Sequence, residues 1–209
     1  MRIDHFRGFS SFWAIPFGDE TAQGGHWETG PGLPFFQALK KALGDGLPLI
    51  AEDLGYLTDD VHELLEASGF PGMKVLQFAF DGGSDNAYLP HNHRPNSTVY
   101  IGTHDNDTLA GWFEKAGEHT RQYAADYLGF LPEEGCCAPF LRAALASVCD
   151  LCVFQVQDLL ELGSEARMNT PSTTGGNWCW RLTPGALGPE LAQTLRQKTA
   201  AYGRLPAGR

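Results

Sequence analysis

Leu47-Pro48-Leu49-Ile50-Ala51-Glu52-Asp53-Leu54-Gly55-Tyr56 decides how the rest of the chain is read. Leu49, Ile50 and Ala51 make a short apolar run of the kind found in strands buried on both faces, as in a parallel sheet. Two adjacent acids, Glu52 and Asp53, follow, and Gly55 releases the chain. The same order of β-formers, charge and turn occurs at Arg2-Ile3-Asp4-His5-Phe6-Arg7-Gly8 and at Val99-Tyr100-Ile101-Gly102-Thr103-His104-Asp105-Asn106-Asp107-Thr108. In a parallel sheet or barrel the carboxyl ends of the strands gather on one face. Asp4, Glu52 and Asp105 are therefore expected to form one active site.

Between these stretches strands and helices alternate. Residues 9–32, rich in Gly, aromatics and polar side chains without a sustained period, read as one long functional loop. Phe35, Leu39 and Leu43, with Gly44 behind them, predict an amphipathic helix over 35–43. Thr58 or Asp59 caps a helix bearing Val61, Leu64 and Leu65, which Gly69 and Pro71 end. Residues 73–80 read as a strand, 81–97 as a loop, and Asp107 or Thr108 as the cap of a helix through Ala116. Helices at 121–128, 140–148 and 190–202 follow, with a strand at 151–156 ending in Asp158. No Gly-x-Gly-x-x-Gly follows any strand, so the pattern predicts an α/β barrel rather than a doubly wound sheet, and no phosphate cofactor.

Composition narrows the partners. A net charge of −10 in 209 residues opposes nucleic acid and anionic membranes and favours a neutral ligand. No apolar run is long enough for a membrane span and no signal-peptide pattern opens the chain, so a cytoplasmic protein is expected. Five cysteines do not make a disulfide framework, and Cys149 and Cys152 read as core. A calcium loop with Asp105 at its first position fails because Ala116, the twelfth, stands where the bidentate glutamate belongs.

Carboxylates at neighbouring strand ends suit glycoside cleavage with retention. That chemistry needs two carboxyl groups about 5 Å apart, one to attack the anomeric carbon and one to protonate the leaving oxygen. A third can compensate charge in the oxocarbenium-like transition state. Arg2 lies on the same side of its strand as Asp4 and brings a positive charge to it. Trp13, Trp27, Trp178 and Trp180 offer flat faces for sugar rings. The plainer readings are that acids at strand ends cap helices or are satisfied surface groups, which fits Asp53 and Asp107, and that His91 and His93 fasten a loop, although contact with sugar hydroxyls suits them as well.

Taken together, Arg2-Ile3-Asp4-His5-Phe6-Arg7-Gly8-Phe9, Ile50-Ala51-Glu52-Asp53-Leu54-Gly55 and Gly102-Thr103-His104-Asp105-Asn106-Asp107-Thr108 closely resemble the signature blocks of the 4-alpha-glucanotransferases, or amylomaltases, of the α-amylase superfamily. Leu89-Pro90-His91-Asn92 and Arg167-Met168-Asn169-Thr170-Pro171 with Gly176-Asn177-Trp178 resemble later blocks in the same order. The resemblance implies Asp4 as nucleophile, Glu52 as general acid and base, and Asp105 as transition-state stabiliser. It implies Arg2 and His104 as donor-sugar contacts, with His91, Asn92 and Asn169 as further substrate contacts, to which the aromatic reading of the loop adds Trp13. Maltooligosaccharides and α-1,4-glucans are the implied partners, without metal or organic cofactor.

The chain departs from that family at Ser10, where an acid is usual, and at Ser172, where glycine commonly follows the proline. It also reads as part of a (β/α)8 barrel, residues 1–209 running from the end of strand four through strand eight. Exposed barrel edges then predict self-association and weak activity of the chain alone. An α-glucan hydrolase and a non-catalytic glucan-binding remnant are the competing readings.

Overall fold

The computed structural model describes residues 1–206, which divide into two compact units, Met1–Met73 and the chain from Lys74 onward. The first unit contains β1 (Arg2–Ile3), a 3-10 turn at Phe6–Phe9, β2 (Ser11–Ala14), β3 (His26–Thr29), α1 (Gly32–Leu43), β4 (Ile50–Ala51) and α2 (Asp59–Ser68). β1 and β4 pair in parallel, Arg2 opposite Ile50 and Ile3 opposite Ala51. Beneath them Phe6, Phe36, Val61 and Phe70 form a buried core in which the Phe6 and Phe36 rings lie 5.3 Å apart. Rings so enclosed contribute roughly 1.5–3 kcal/mol each through water exclusion. This core fixes where β1 and β4 end, and so where Asp4 and Glu52 begin.

α1 starts three residues before the sequence-based expectation. Pro34 stands in its first turn, where a missing N–H costs nothing, and Gly44 ends it with φ +92°. Thr58 occupies the N-cap position of α2, and Gly69 closes that helix in the left-handed conformation. The largest correction lies in residues 9–32, expected as loop throughout. They hold an antiparallel hairpin in which Trp13 pairs with Trp27, the rings edge to face at 5.4 Å. Neither strand has a buried face. Burial therefore imposed no alternation of polar and apolar residues for a sequence reading to detect.

The boundary between the units falls inside β5 (Gly72–Val75). β6 (Ser97–Tyr100), α3 (Leu109–Lys115), α4 (Glu118–Leu128), α5 (Cys137–Ala146), β7 (Leu151–Val153), α6 (Val156–Leu159) and α7 (Pro189–Ala201) follow. The sheet order is β5-β6-β7, with β6 and β7 parallel and Val99 opposite Cys152. Helices α3 to α5 supply the crossover that a parallel pair requires. Phe80 and Phe140, with rings 5.5 Å apart, centre the core of this unit, against Tyr123 and Tyr127.

Two expected strands are shorter than their apolar runs. Residues 73–80 leave the strand after Val75 and turn into a 3-10 helix at Leu76–Phe78. Leu76, Ala79 and Phe80 stay fully buried, and continuous burial hides such a change of conformation. β7 stops at Val153, so Asp158 does not end a strand. It lies in α6, buried, and accepts the Leu109 N–H at 2.7 Å. Cys149 is buried as expected, yet its Sγ lies 3.6 Å from His93 Nδ1, a neighbour 56 positions away that spacing did not reveal. Among the described residues, no helix is long and apolar enough to cross a membrane.

Candidate active site

In the first unit, parallel pairing of β1 and β4 sends Asp4 and Glu52 out of adjacent strand ends. Glu52 is held by two backbone donors: the His5 N–H reaches its Oε2 at 2.7 Å and the Leu54 N–H its Oε1 at 3.2 Å. His5 adopts the left-handed region at φ +48°, uncommon for a residue with a side chain, and that conformation accompanies the hydrogen bond to Glu52. Partial burial pushes the Glu52 carboxyl above the ordinary glutamate range. The two N–H bonds pull it back in part, and the charge of Asp4 pushes it further up. Asp4 is largely exposed, and Arg2 Nη2 donates to its Oδ1 at 2.8 Å. Arg2, Asp4 and Glu52 thus stand together, as the sequence led one to expect.

The hairpin adjoins the Phe6–Phe9 turn that follows Asp4. Trp13 is anchored by its Nε1–H to the Ala22 carbonyl at 2.9 Å, and the Arg7 guanidinium covers the Trp27 face at 4.6 Å. Asp53, read from sequence as structural, accepts the Met73 N–H at 2.6 Å.

In the second unit the loop after β6 presents Asp105. Asn169 Nδ2 donates to Asp105 Oδ1 at 2.6 Å, and His104 Nε2 lies 3.4 Å from Oδ2. Arg167 fastens the same loop, donating from Nη2 to the Asp105 carbonyl at 2.6 Å and from Nε to the Asn169 carbonyl at 2.8 Å. The Asn169 N–H in turn donates to the His104 carbonyl at 3.1 Å. The Trp178 ring packs 5.1 Å from the His104 imidazole. Arg167 had no assigned role in the sequence reading, and its place two residues before Asn169 was the available signal. The part His5 plays through its backbone N–H had no such signal.

Asp107 is the structural acid expected of it. Burial pushes its carboxyl up, but the bonds donated by Lys115 and Ser164, each at 2.7 Å, overcome burial and hold it below the ordinary range. Thr108 caps α3 through its Oγ1, which accepts the Gly111 N–H.

His91 and Asn92 stand before the first residue of β6, whereas Asp105 follows the end of that strand. His91 Nδ1 meets the Tyr127 hydroxyl at 2.7 Å and Nε2 the Ser84 carbonyl at 2.8 Å. Asn92 Nδ2 donates to the Ser84 and Asn86 carbonyls. Both residues fasten their loop, and the hydrogen bonds described for them go to Tyr127, Ser84 and Asn86 rather than to the Asp105 group.

A family model described as 4-alpha-glucanotransferase matches residues 1–187. The chain belongs to the 4-alpha-glucanotransferase family. A 4-alpha-glucanotransferase of Synechocystis sp. is 50% identical over 205 residues, covering 98% of this chain and 41% of that protein. One from Clostridium butyricum is 46% identical over 205 residues, covering 98% and 42%. Among solved structures, the amylomaltase from Streptococcus agalactiae in complex with acarbose superposes with a TM-score of 0.93 at 40% identity, over 98% of this chain and 41% of that one. The chain is thus a mixed α/β structure spanning about two fifths of the length of these 4-alpha-glucanotransferases.

Both departures from the family pattern have structural correlates. Ser10 donates its hydroxyl to Asp60 in the first turn of α2, so an acid at position 10 would set two carboxylates against each other. Ser172 adopts φ +62°, the conformation glycine takes at least cost.

Proposed function

We propose that the chain carries the catalytic acids of a 4-alpha-glucanotransferase, which moves α-1,4-glucan segments between maltooligosaccharides by retaining double displacement. The observation that carries this reading is the Glu52 carboxyl, raised by burial yet held by two N–H donors beside an Asp4 with its own guanidinium partner. Two neighbouring carboxyl groups with such different surroundings are suited to acid and nucleophile roles. Asp4 attacks the anomeric carbon while Glu52 protonates the departing glucan oxygen. Glu52 then takes the proton of an incoming glucan hydroxyl as the ester to Asp4 breaks. Asp105, oriented by Asn169 and near His104, compensates the positive charge that develops on the sugar. Arg2 and His104 contact the donor sugar. Contacts from His91 and Asn92 rest on the sequence resemblance alone, and one from Trp13 on the flat aromatic face its loop offers.

On this reading residues 1–209 form part of a cytoplasmic (β/α)8 catalytic domain, with β1, β4, β5, β6 and β7 among its strands. The functional test is incubation of the protein carrying this chain with maltotriose. A ladder of longer and shorter oligosaccharides, abolished by Asp4→Asn and by Glu52→Gln in folded protein, is the expected result. Shortening without a ladder would indicate a hydrolase. Saturable maltotriose binding without turnover would indicate a glucan-binding remnant.

A further inference from the structure

We infer that Trp178 is a sugar-stacking wall beside Asp105, and that it favours a glucan hydroxyl over water as the group that takes the chain from the intermediate. This rests on the proposed transferase reading and names one specificity-determining residue within it.

Four tryptophans were candidates for sugar contact, and their surroundings separate them. Trp13 is tied by its indole N–H and set edge-on to Trp27, whose face is covered by Arg7. Trp180 is only partly exposed. Trp178 has one side on His104 and is still 51% exposed. Its backbone sits at φ +62°. A bulky residue in that region costs about 1–2 kcal/mol and persists only where the surroundings enforce it.

The enforcement is visible. The Trp178 N–H donates to the Met168 carbonyl at 2.7 Å. The Asn177 side chain accepts the Thr170 N–H at 2.9 Å and donates to Thr173 Oγ1 at 3.1 Å, closing residues 170–177 into a tied loop. Gly175 and Gly176, both at positive φ, turn the chain into position. Much of this loop is thus committed to holding a half-exposed indole against the residue next to Asp105. A tryptophan retained only for packing would gain more from burial in an unstrained backbone.

The exposed face of Trp178 suits the apolar face of a glucosyl ring, with hydroxyls directed outward. A ring seated there excludes water from the anomeric carbon and sets its own hydroxyl for attack. The attacking oxygen forms the new glycosidic bond, its proton passes to Glu52, and the Asp4 carboxylate leaves. When water attacks instead, the same steps release a shortened chain.

The test compares Trp178→Gly and Trp178→Phe with the parent by maltoheptaose titration in a calorimeter, by the ratio of transfer to hydrolysis on maltotriose, and by thermal melting. Glycine accepts φ +62° freely, so Trp178→Gly is expected to melt no lower than the parent. Its maltoheptaose affinity and its transfer-to-hydrolysis ratio should each fall roughly tenfold, the scale of one aromatic contact. Phenylalanine should retain most of both. Unchanged maltoheptaose affinity in Trp178→Gly overturns the wall, as does a lower melting temperature with the ratio unchanged. A parent that binds maltoheptaose but makes no ladder overturns the transferase reading instead, and the binding comparison still decides whether Trp178 meets sugar.

Discussion

Asn169 Nδ2 donates to Asp105 Oδ1 at 2.6 Å across 64 positions of sequence. The bond holds one carboxylate oxygen while His104 stands 3.4 Å from the other, so the orientation of Asp105 depends on a residue far from its own loop. A hydrogen bond to a charged group contributes roughly 1.5–3 kcal/mol. If Asp105 acts mainly in the transition state, Asn169→Ala lowers kcat roughly 10- to 100-fold, with a smaller change in KM and little loss of melting temperature. Maltotriose disproportionation kinetics beside a thermal melt check this, and an equal loss in KM alone would assign Asn169 to ground-state binding.

If Glu52 is the general acid proposed above, its raised carboxyl sets the alkaline side of the pH profile. A general acid works while protonated and loses activity as pH climbs through its pKa. Burial, the largest influence on Glu52, therefore extends activity to higher pH than an ordinary glutamate would allow. The Arg2 charge opposes that shift, so Arg2→Met is expected to move the alkaline limb of kcat/KM further up. A downward movement would mean that another group governs the limb.

Much of this arrangement was legible in the chain itself, for particular reasons. β-forming residues followed by charge and a turn pointed to Asp4, Glu52 and Asp105; Asp4 and Glu52 do follow paired strand ends, while Asp105 lies in the loop after β6. Helix ends were legible at Gly44, Gly69 and Thr108, where conformation and residue type are tightly linked. What escaped were features set by tertiary context. The hairpin of Trp13 and Trp27 has no buried face and hence no alternation. The left-handed backbones of His5 and Trp178 contradict local preference and are held by partners elsewhere. The role of Asp158 depends on Leu109, 49 positions away.

Ser172 tests how far backbone conformation explains a departure from the family pattern. At φ +62° and exposed, it carries the left-handed cost without any described side-chain bond in return. Ser172→Gly removes that cost while adding flexibility to the unfolded chain, for an expected net gain of about 0.5–1 kcal/mol. Urea denaturation resolves a gain of that size, and a loss would show that the serine hydroxyl has a stabilising partner in solution.

Asp158 gives the pH dependence of stability. Its side chain is almost fully buried, one oxygen accepts the Leu109 N–H, and the other has no partner among the described residues. Burial lifts the carboxyl from 3.8 to about 6, the Leu109 bond works against this, and the nearby Asp107 charge adds to it. Between those two pH values the folded protein keeps a proton that the unfolded chain has released. The stabilisation is complete below the lower value, disappears as pH rises towards the higher one, and changes no further above it. The whole swing is on the order of 3 kcal/mol. Asp158→Asn keeps an oxygen for the Leu109 N–H and cannot ionise. It should match the parent near pH 4 and exceed it by up to that swing at about pH 7.5. Denaturation midpoints at the two pH values measure the difference. An equal offset at both would mean that Asp158 acts through packing rather than through its proton.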